Sequence, residues 1–226
     1  MSRTENPPHR SLWSGLAIGD PNAVIGVLGV PFDGASSFRK GSAEAPKHIR
    51  SLTPHVAPMT EGGDSLAGVH VRDHGDVRIA AAWEATRQEA EREAAEVLRH
   101  PLAIFLGGDH SVTIPLASAT AMATEGPMGV LHLDAHLDLM DTFEGVGWSH
   151  ACALRRVLEL PNTDPSRCAA VGIRSWLAEE AAFVEDHPHL LVRTARDVWR
   201  HGIDAAADEV CTQLQGVAAV YVTLDI

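Results

Sequence analysis

Short apolar runs recur along the chain, and most of them run into a polar or glycine-rich segment. Val24–Val30, Leu102–Leu106, Val130–Leu133, Cys168–Ile173 and Val217–Ile226 have the texture of strands buried on both faces, and Val69–Val71 and Leu190–Val192 are shorter runs of the same kind. Between them lie segments with helical spacing. Ala45–Leu52 carries Pro46 in its first turn, a position that tolerates proline. From Ala80 to His100, Trp83, Ala90, Ala94 and Val97 fall on one face, Glu and Arg fill the other, and Pro101 ends the run. Val112–Met122, Ser149–Leu160, Leu177–Glu185 and Asp204–Leu214 complete the helices. Strand and helix alternate, which predicts an α/β domain whose parallel sheet is covered on both faces. Residues 1–22, rich in Pro, Ser and Asn, read as an N-terminal arm ahead of a domain over 23–226.

The polar clusters fall at the carboxyl ends of the strands, where parallel sheets bind ligands. Asp33 follows the first strand, His110 the third, Asp134–Asp138 the fourth, and Asp225 closes the last. The central stretch is Gly129–Asp138, Gly-Val-Leu-His-Leu-Asp-Ala-His-Leu-Asp. Extended backbone would put Asp134, His136 and Asp138 on one side. Two carboxylates and an imidazole converging there call for a balancing cation. Such a set suits Mn(II), Mg(II), Fe(II) or Zn(II), and the absence of thiolates argues against a structural zinc site. Gly107-Gly108-Asp109-His110-Ser111 reads either as a turn before a helix capped by Ser111 or as a ligand loop in which Asp109 orients His110. Taken alone, Asp225 is a cap or turn residue and His150 a surface or capping histidine. Taken together, the strand ends suit a two-metal site.

Composition narrows the classes. The 226 residues carry a formal net charge of -12, which argues against nucleic-acid binding and suits attraction of cations. Cys152, Cys168 and Cys211 are too few for a disulfide framework, so a reducing, cytoplasmic setting is expected. Met1–Arg10 lacks the apolar core of a signal peptide, and no window has the length and apolarity of a membrane span.

The motif set Gly107–Ser111, Asp134–Asp138, Ser149-His150 and Thr223-Leu224-Asp225 resembles the ureohydrolases, the family of arginases, agmatinases and formiminoglutamases. Gly29–Asp33 with Arg39, Gly41, Pro46 and Ile49-Arg50, then Asp73–Val77 and Gly172–Ser175, extend the likeness over residues 24–226. The resemblance implies a three-layer α/β/α sandwich with a mainly parallel sheet, two Mn2+ ions and assembly into homo-oligomers, trimers or hexamers. It implies that His110 and Asp138 bind one metal, that His136 binds the other, and that Asp134 and Asp225 bridge. It further implies that hydroxide attacks the guanidinium carbon of a small cationic substrate, with Asp138 handling its proton and His150 acting as proton shuttle. The products would be urea and an amine.

Two departures from the family pattern shape the expectation. The family's last motif is Asp-x-Asp, whose second aspartate would follow Ile226, so the chain reads as C-terminally truncated, with a weak second metal site and little activity. The segment between Asp138 and His150 lacks the Asn and Thr residues with which arginases hold an α-amino acid, which favours agmatine or another guanidino or formimino compound over arginine. Other readings are a two-metal phosphoesterase and a non-catalytic member that assembles with an intact partner.

Overall fold

The computed structural model describes residues 12–17, 19 and 22–226, so most of the expected arm at 1–22 lies outside the described residues. The chain divides into two compact units, one made of the residues up to Asp33 with Lys40–Gly108, the other of Gly34–Arg39 with Asp109–Ile226.

The first unit is built on a three-stranded parallel sheet. Strand β1 (Ile25–Val30) lies between β2 (Val71–Asp76) and β3 (Leu102–Gly107). A strand with a neighbour on each edge must bury both faces, and Val27, Leu28 and Val30 are almost wholly buried. Val27, Val71 and Leu106 form a core against which Trp13, Leu16, Ile25 and Ile104 pack. Helix α1 spans Ala45–Leu52, as its pattern indicates. Helix α2 spans Trp83–Val97, shorter than the Ala80–His100 pattern, because Ala82 is extended. It buries Thr86, Ala90, Ala94 and Val97 and pairs Arg87 with Glu84 and Glu91 on its open side.

Strand β2 starts where the short apolar run Val69–Val71 ends and runs on through the polar stretch Asp73-His74-Gly75-Asp76. The reason is Arg50 on α1. Its guanidinium grips Asp73 with two hydrogen bonds (2.8 and 2.9 Å), donates to the Gly75 carbonyl (2.8 Å) and meets Asp76. Trp13 Nε1 adds a bond to Asp73 (2.8 Å). With their charges matched, these residues can occupy an ordered strand.

The second unit has a four-stranded parallel sheet in the order β6-β5-β4-β7. Its strands are β4 (Met128–Leu133), β5 (Thr163–Ile173), β6 (Leu191–Thr194) and β7 (Ala219–Leu224). Helices α3 (Thr113–Ala123), α4 (Ala153–Leu158), α5 (Ala178–Asp186), α6 (Ala195–His201) and α7 (Ile203–Gln213) flank it. Pro115 falls in the first turn of α3, where its missing N–H removes no intrahelical bond. Helix α6 is absent from the reading of the pattern. Its start is fixed by Thr194 and Asp197, each side chain bonding the other's backbone N–H. Strand β5 begins well before Cys168 and is half-exposed over that first part, which hides it from a search for apolar runs. On the edge strand β7, Tyr221 and Thr223 are buried while Val220, Val222 and Leu224 are exposed.

All pairings between named strands are parallel, and helices flank the sheets, the α/β architecture that the alternation implies. No helix among the described residues is long and apolar enough to cross a membrane.

Candidate metal centre

Register places the first two acidic groups. Leu133 on β4 pairs with Leu224 on β7, so the next residues, Asp134 and Asp225, leave adjacent strand ends in the same direction. Asp225 N–H donates to the Leu133 carbonyl (3.0 Å), continuing the ladder one step beyond the strands. Gly172 on β5 keeps the other flank of Asp134 clear. Its φ is +95°, and a Cβ there would lie 3.0 Å from the Asp134 carbonyl.

Asp138 arrives by a different route. Strand β4 ends at Leu133, so residues 134–138 are not extended, and the expected single-sided alternation does not form. Asp138 adopts φ +53°, the left-handed region in which Asp is among the better-tolerated residues. Leu137 and Leu139 are fully buried on either side of it. Its carbonyl accepts from Arg155 N–H (3.0 Å), and Leu139 N–H is held by the Glu180 carboxylate (3.1 Å). The anchored leucines set the turn that presents Asp138.

His110 completes the group. It opens a single 3-10 turn (His110–Val112) whose N-terminus is capped by Asp109 through Ser111 N–H. Its Nε2 lies 2.8 Å from Thr223 Oγ1, and its Nδ1 faces Asp138 (2.7 Å), Asp134 (3.1 Å) and Asp225 (3.4 Å). One ligand atom from each of His110, Asp134, Asp138 and Asp225 lies within 4.8 Å of all the others. Asp225 is the most exposed of the four, with 43% of its side chain accessible.

The electrostatics are those of a cation site. Burial alone would depress the His110 imidazole, but the carboxylates of Asp134 and Asp138 and the charge of Asp225 override it and raise its pKa to about 10. Burial likewise pushes Asp134 up, and His110 and the His136 N–H outweigh it, lowering its pKa to about 2. Asp225 is raised, first by burial and then by repulsion from Asp134 and Asp138, against the attraction of His110. The close contacts lack hydrogen-bond directionality: His110 Nδ1 and Asp134 Oδ2 are buried without a hydrogen-bond partner. Buried polar atoms left so are costly unless something else satisfies them. One imidazole and three carboxylates fit a hard divalent cation.

Three residues, His136, His132 and Asp109, stand differently from what the sequence suggests. The His136 side chain is 60% exposed and outside the four-residue group. It touches the group through its backbone N–H, which donates to Asp134 Oδ1 (2.8 Å), and its Nδ1 lies 3.4 Å from the same oxygen. His132 lies within the apolar strand pattern Val130–Leu133. It is fully buried, stacks on His110 with ring centroids 5.2 Å apart, and lies 3.4 Å from Asp134 Oδ2. Burial and the neighbouring His110 charge lower its pKa, and its Nε2 bonds the His136 carbonyl (3.0 Å). A histidine inside an otherwise apolar strand was the available signal. His150 lies outside the four-residue group and bonds the Ala35 carbonyl through Nδ1 (2.7 Å). Asp109 does not bond the His110 ring: its carboxylate binds Ser111 and the Ala35 N–H instead.

Fold and site together define a parallel α/β protein with a buried carboxylate–imidazole centre at its strand ends. The arginase family profile matches residues 23–226, and the chain belongs to the arginase family. An agmatinase of Pyrococcus horikoshii is 32% identical over 204 residues, covering 88% of this chain and 66% of that protein. A guanidinobutyrase of Pseudomonas aeruginosa is 31% identical over 206 residues, covering 88% of this chain and 63% of that protein. The chain thus spans about two-thirds or slightly less of these relatives' length. The agmatine ureohydrolase of Thermoplasma volcanium superposes with a TM-score of 0.83 at 28% identity, covering 95% of this chain and 71% of that one.

Proposed function

We propose that the chain is an amidinohydrolase that uses manganese to cleave a linear guanidino compound, agmatine-like, into urea and an amine. The convergence of His110, Asp134, Asp138 and Asp225 on one buried point carries this reading. Kinship with an agmatinase and a guanidinobutyrase supports the substrate class.

His110, Asp134, Asp138 and Asp225 would hold one Mn2+, and His136 would hold a second, with Asp134 and Asp225 shared between the two. A divalent cation bound there supplies Lewis acidity that makes water nucleophilic near neutral pH. The carboxylates offset the cations' charge and draw the guanidinium in. The Asp138 carboxylate accepts the proton released as water adds to the guanidinium carbon. His150 carries a proton to the leaving amine nitrogen as the C–N bond breaks. The acidic balance of the chain, -12, favours a cationic substrate over nucleic acid. The reading places the protein in the cytoplasm as a homo-oligomer, a trimer or hexamer.

Purified chain, supplied with Mn2+, is offered agmatine, 4-guanidinobutyrate, arginine and formiminoglutamate, and urea or formamide release is measured. Slow urea release from agmatine or 4-guanidinobutyrate is the expected result. Phosphate release from phosphoesters, with no urea from any guanidino compound, would overturn it. Light scattering tests the assembly.

A further inference from the structure

Asp109 has no place among the metal ligands although it adjoins His110. Its carboxylate is buried, and both oxygens are engaged. Oδ1 accepts from the Ser111 N–H (3.0 Å) and the Ser111 hydroxyl. Oδ2 accepts from the Ala35 N–H (2.8 Å), with the Ser36 hydroxyl more distant (3.4 Å). Four donors converge on one side chain, and an ionised carboxylate, which only accepts, can satisfy all four. An asparagine would turn its NH2 toward two of them.

The residue pinned in this way does something for His150. The Ala35 carbonyl accepts a hydrogen bond from His150 Nδ1 at 2.7 Å. A carbonyl cannot donate, so the proton sits on Nδ1, and the lone pair of the neutral ring is on Nε2. Ser149 Oγ, 3.1 Å from the same nitrogen, is placed as a second acceptor. Among the described residues, Nε2 faces a distant hydroxyl, Ser37 Oγ at 3.4 Å. The edge-on Phe143 ring, 5.5 Å away between centroids, helps hold the imidazole plane.

We propose that Asp109 is a positioning residue: by pinning Ala35 it fixes His150 as the Nδ1–H tautomer and keeps Nε2 available to take up and deliver a proton. The proposal rests on the proton-carrying role given to His150 above. A free neutral histidine populates both tautomers, so a fixed one removes an unproductive fraction and holds the ring in line.

Long-range nitrogen–proton NMR of the metal-free 226-residue chain reads the tautomer directly, with His150 assigned by its loss in His150→Gln. Wild type is expected to show Nδ1–H alone. Asp109→Asn is expected to show a mixture with Nε2–H, and its kcat to fall ~10–100-fold with KM within ~3-fold, a loss of the size general acid–base catalysis supplies. Ala35→Pro removes the same hydrogen bond from its other end and serves if Asp109→Asn does not fold. Ser111→Ala, which disturbs only Oδ1, is expected to keep the wild-type tautomer. Wild type as Nε2–H, an unmixed Nδ1–H in both Asp109→Asn and Ala35→Pro, or an equal shift in Ser111→Ala would overturn the proposal. Absence of urea release from wild type would defeat the functional reading while leaving the tautomer result standing.

Discussion

Leu133 and Leu224 are partners in register on β4 and β7, and this one pairing sets Asp134 and Asp225 side by side. Asp225 carries a raised pKa, first through burial and then through repulsion from Asp134 and Asp138, and a cation between the carboxylates would relieve that repulsion. Mn2+ at a hundred times its Kd should stabilise the wild type by ~2.7 kcal/mol, a rise of ~5–10 °C in Tm for a chain of this size. Asp225→Asn should melt no lower than wild type without metal and gain under ~2 °C with it. Differential scanning fluorimetry across a Mn2+ series decides, and an equal metal response in both proteins would remove Asp225 from the ligand set.

His136 enters the site by its backbone while its side chain faces outward, so the proposed function gives it a second ion apart from the four-residue group. Calorimetric titration with Mn2+ should resolve one tight event and a weaker one. His136→Ala should abolish the weaker event and spare the tight one. Loss of the tight event in that variant would place His136 in the first site.

Asp138 combines its proposed ligand role with a left-handed backbone. Asn shares the tolerance of Asp for that conformation, whereas a β-branched residue does not. Asp138→Asn should therefore unfold in urea near the wild-type midpoint without metal, and Asp138→Val should lose ~1–3 kcal/mol. Equal stability of the two variants would mean that the backbone there is not strained.

Gly172 can be tested in the same way. A methyl group at φ +95° lies 3.0 Å from the Asp134 carbonyl, so Gly172→Ala should cost ~1–3 kcal/mol and also weaken Mn2+ binding by displacing Asp134. Unchanged metal affinity in a destabilised variant would separate the strain from the site.

Arg50 and Asp73 give the fold a pH dependence away from the centre. Burial raises the Asp73 carboxyl, but Arg50, the Gly75 N–H and Trp13 outweigh it, so the pKa is lowered in the folded state. The stabilisation is therefore complete above the unfolded value, ~3.9, and fades as pH falls through the lower folded value. Asp73→Asn should be less stable than wild type by ~3 kcal/mol at pH 7, and the gap should begin to narrow below pH ~4 and close as pH falls through the lower folded value. Urea denaturation at both pH values checks it, and a gap that persists in acid would point to packing instead of charge.

The alternation of strands and helices was legible because buried parallel strands leave apolar runs. What stayed hidden had other causes. The second half of strand β2 carries charges that Arg50 and Trp13, from distant parts of the sequence, make tolerable. Helix α6 is announced by Thr194 and Asp197, a capping pair that apolar periodicity does not register. Convergence of His110, Asp134, Asp138 and Asp225 could be anticipated from their places at strand ends. The manner could not: alternation predicts Asp134, His136 and Asp138 on one side, and the chain instead leaves the strand at Leu133 and turns at Asp138. His132 escaped notice because an isolated histidine among apolar neighbours gives no spacing to read.

The pairing of β7 with β4 has one more consequence. Since Thr223 steadies the His110 ring and Asp225 faces its Nδ1, the four-residue group cannot form unless β7 has docked. An ion that favours the finished geometry would then act as a clasp between the two strands. Metal occupancy and docking of β7 would become a single equilibrium.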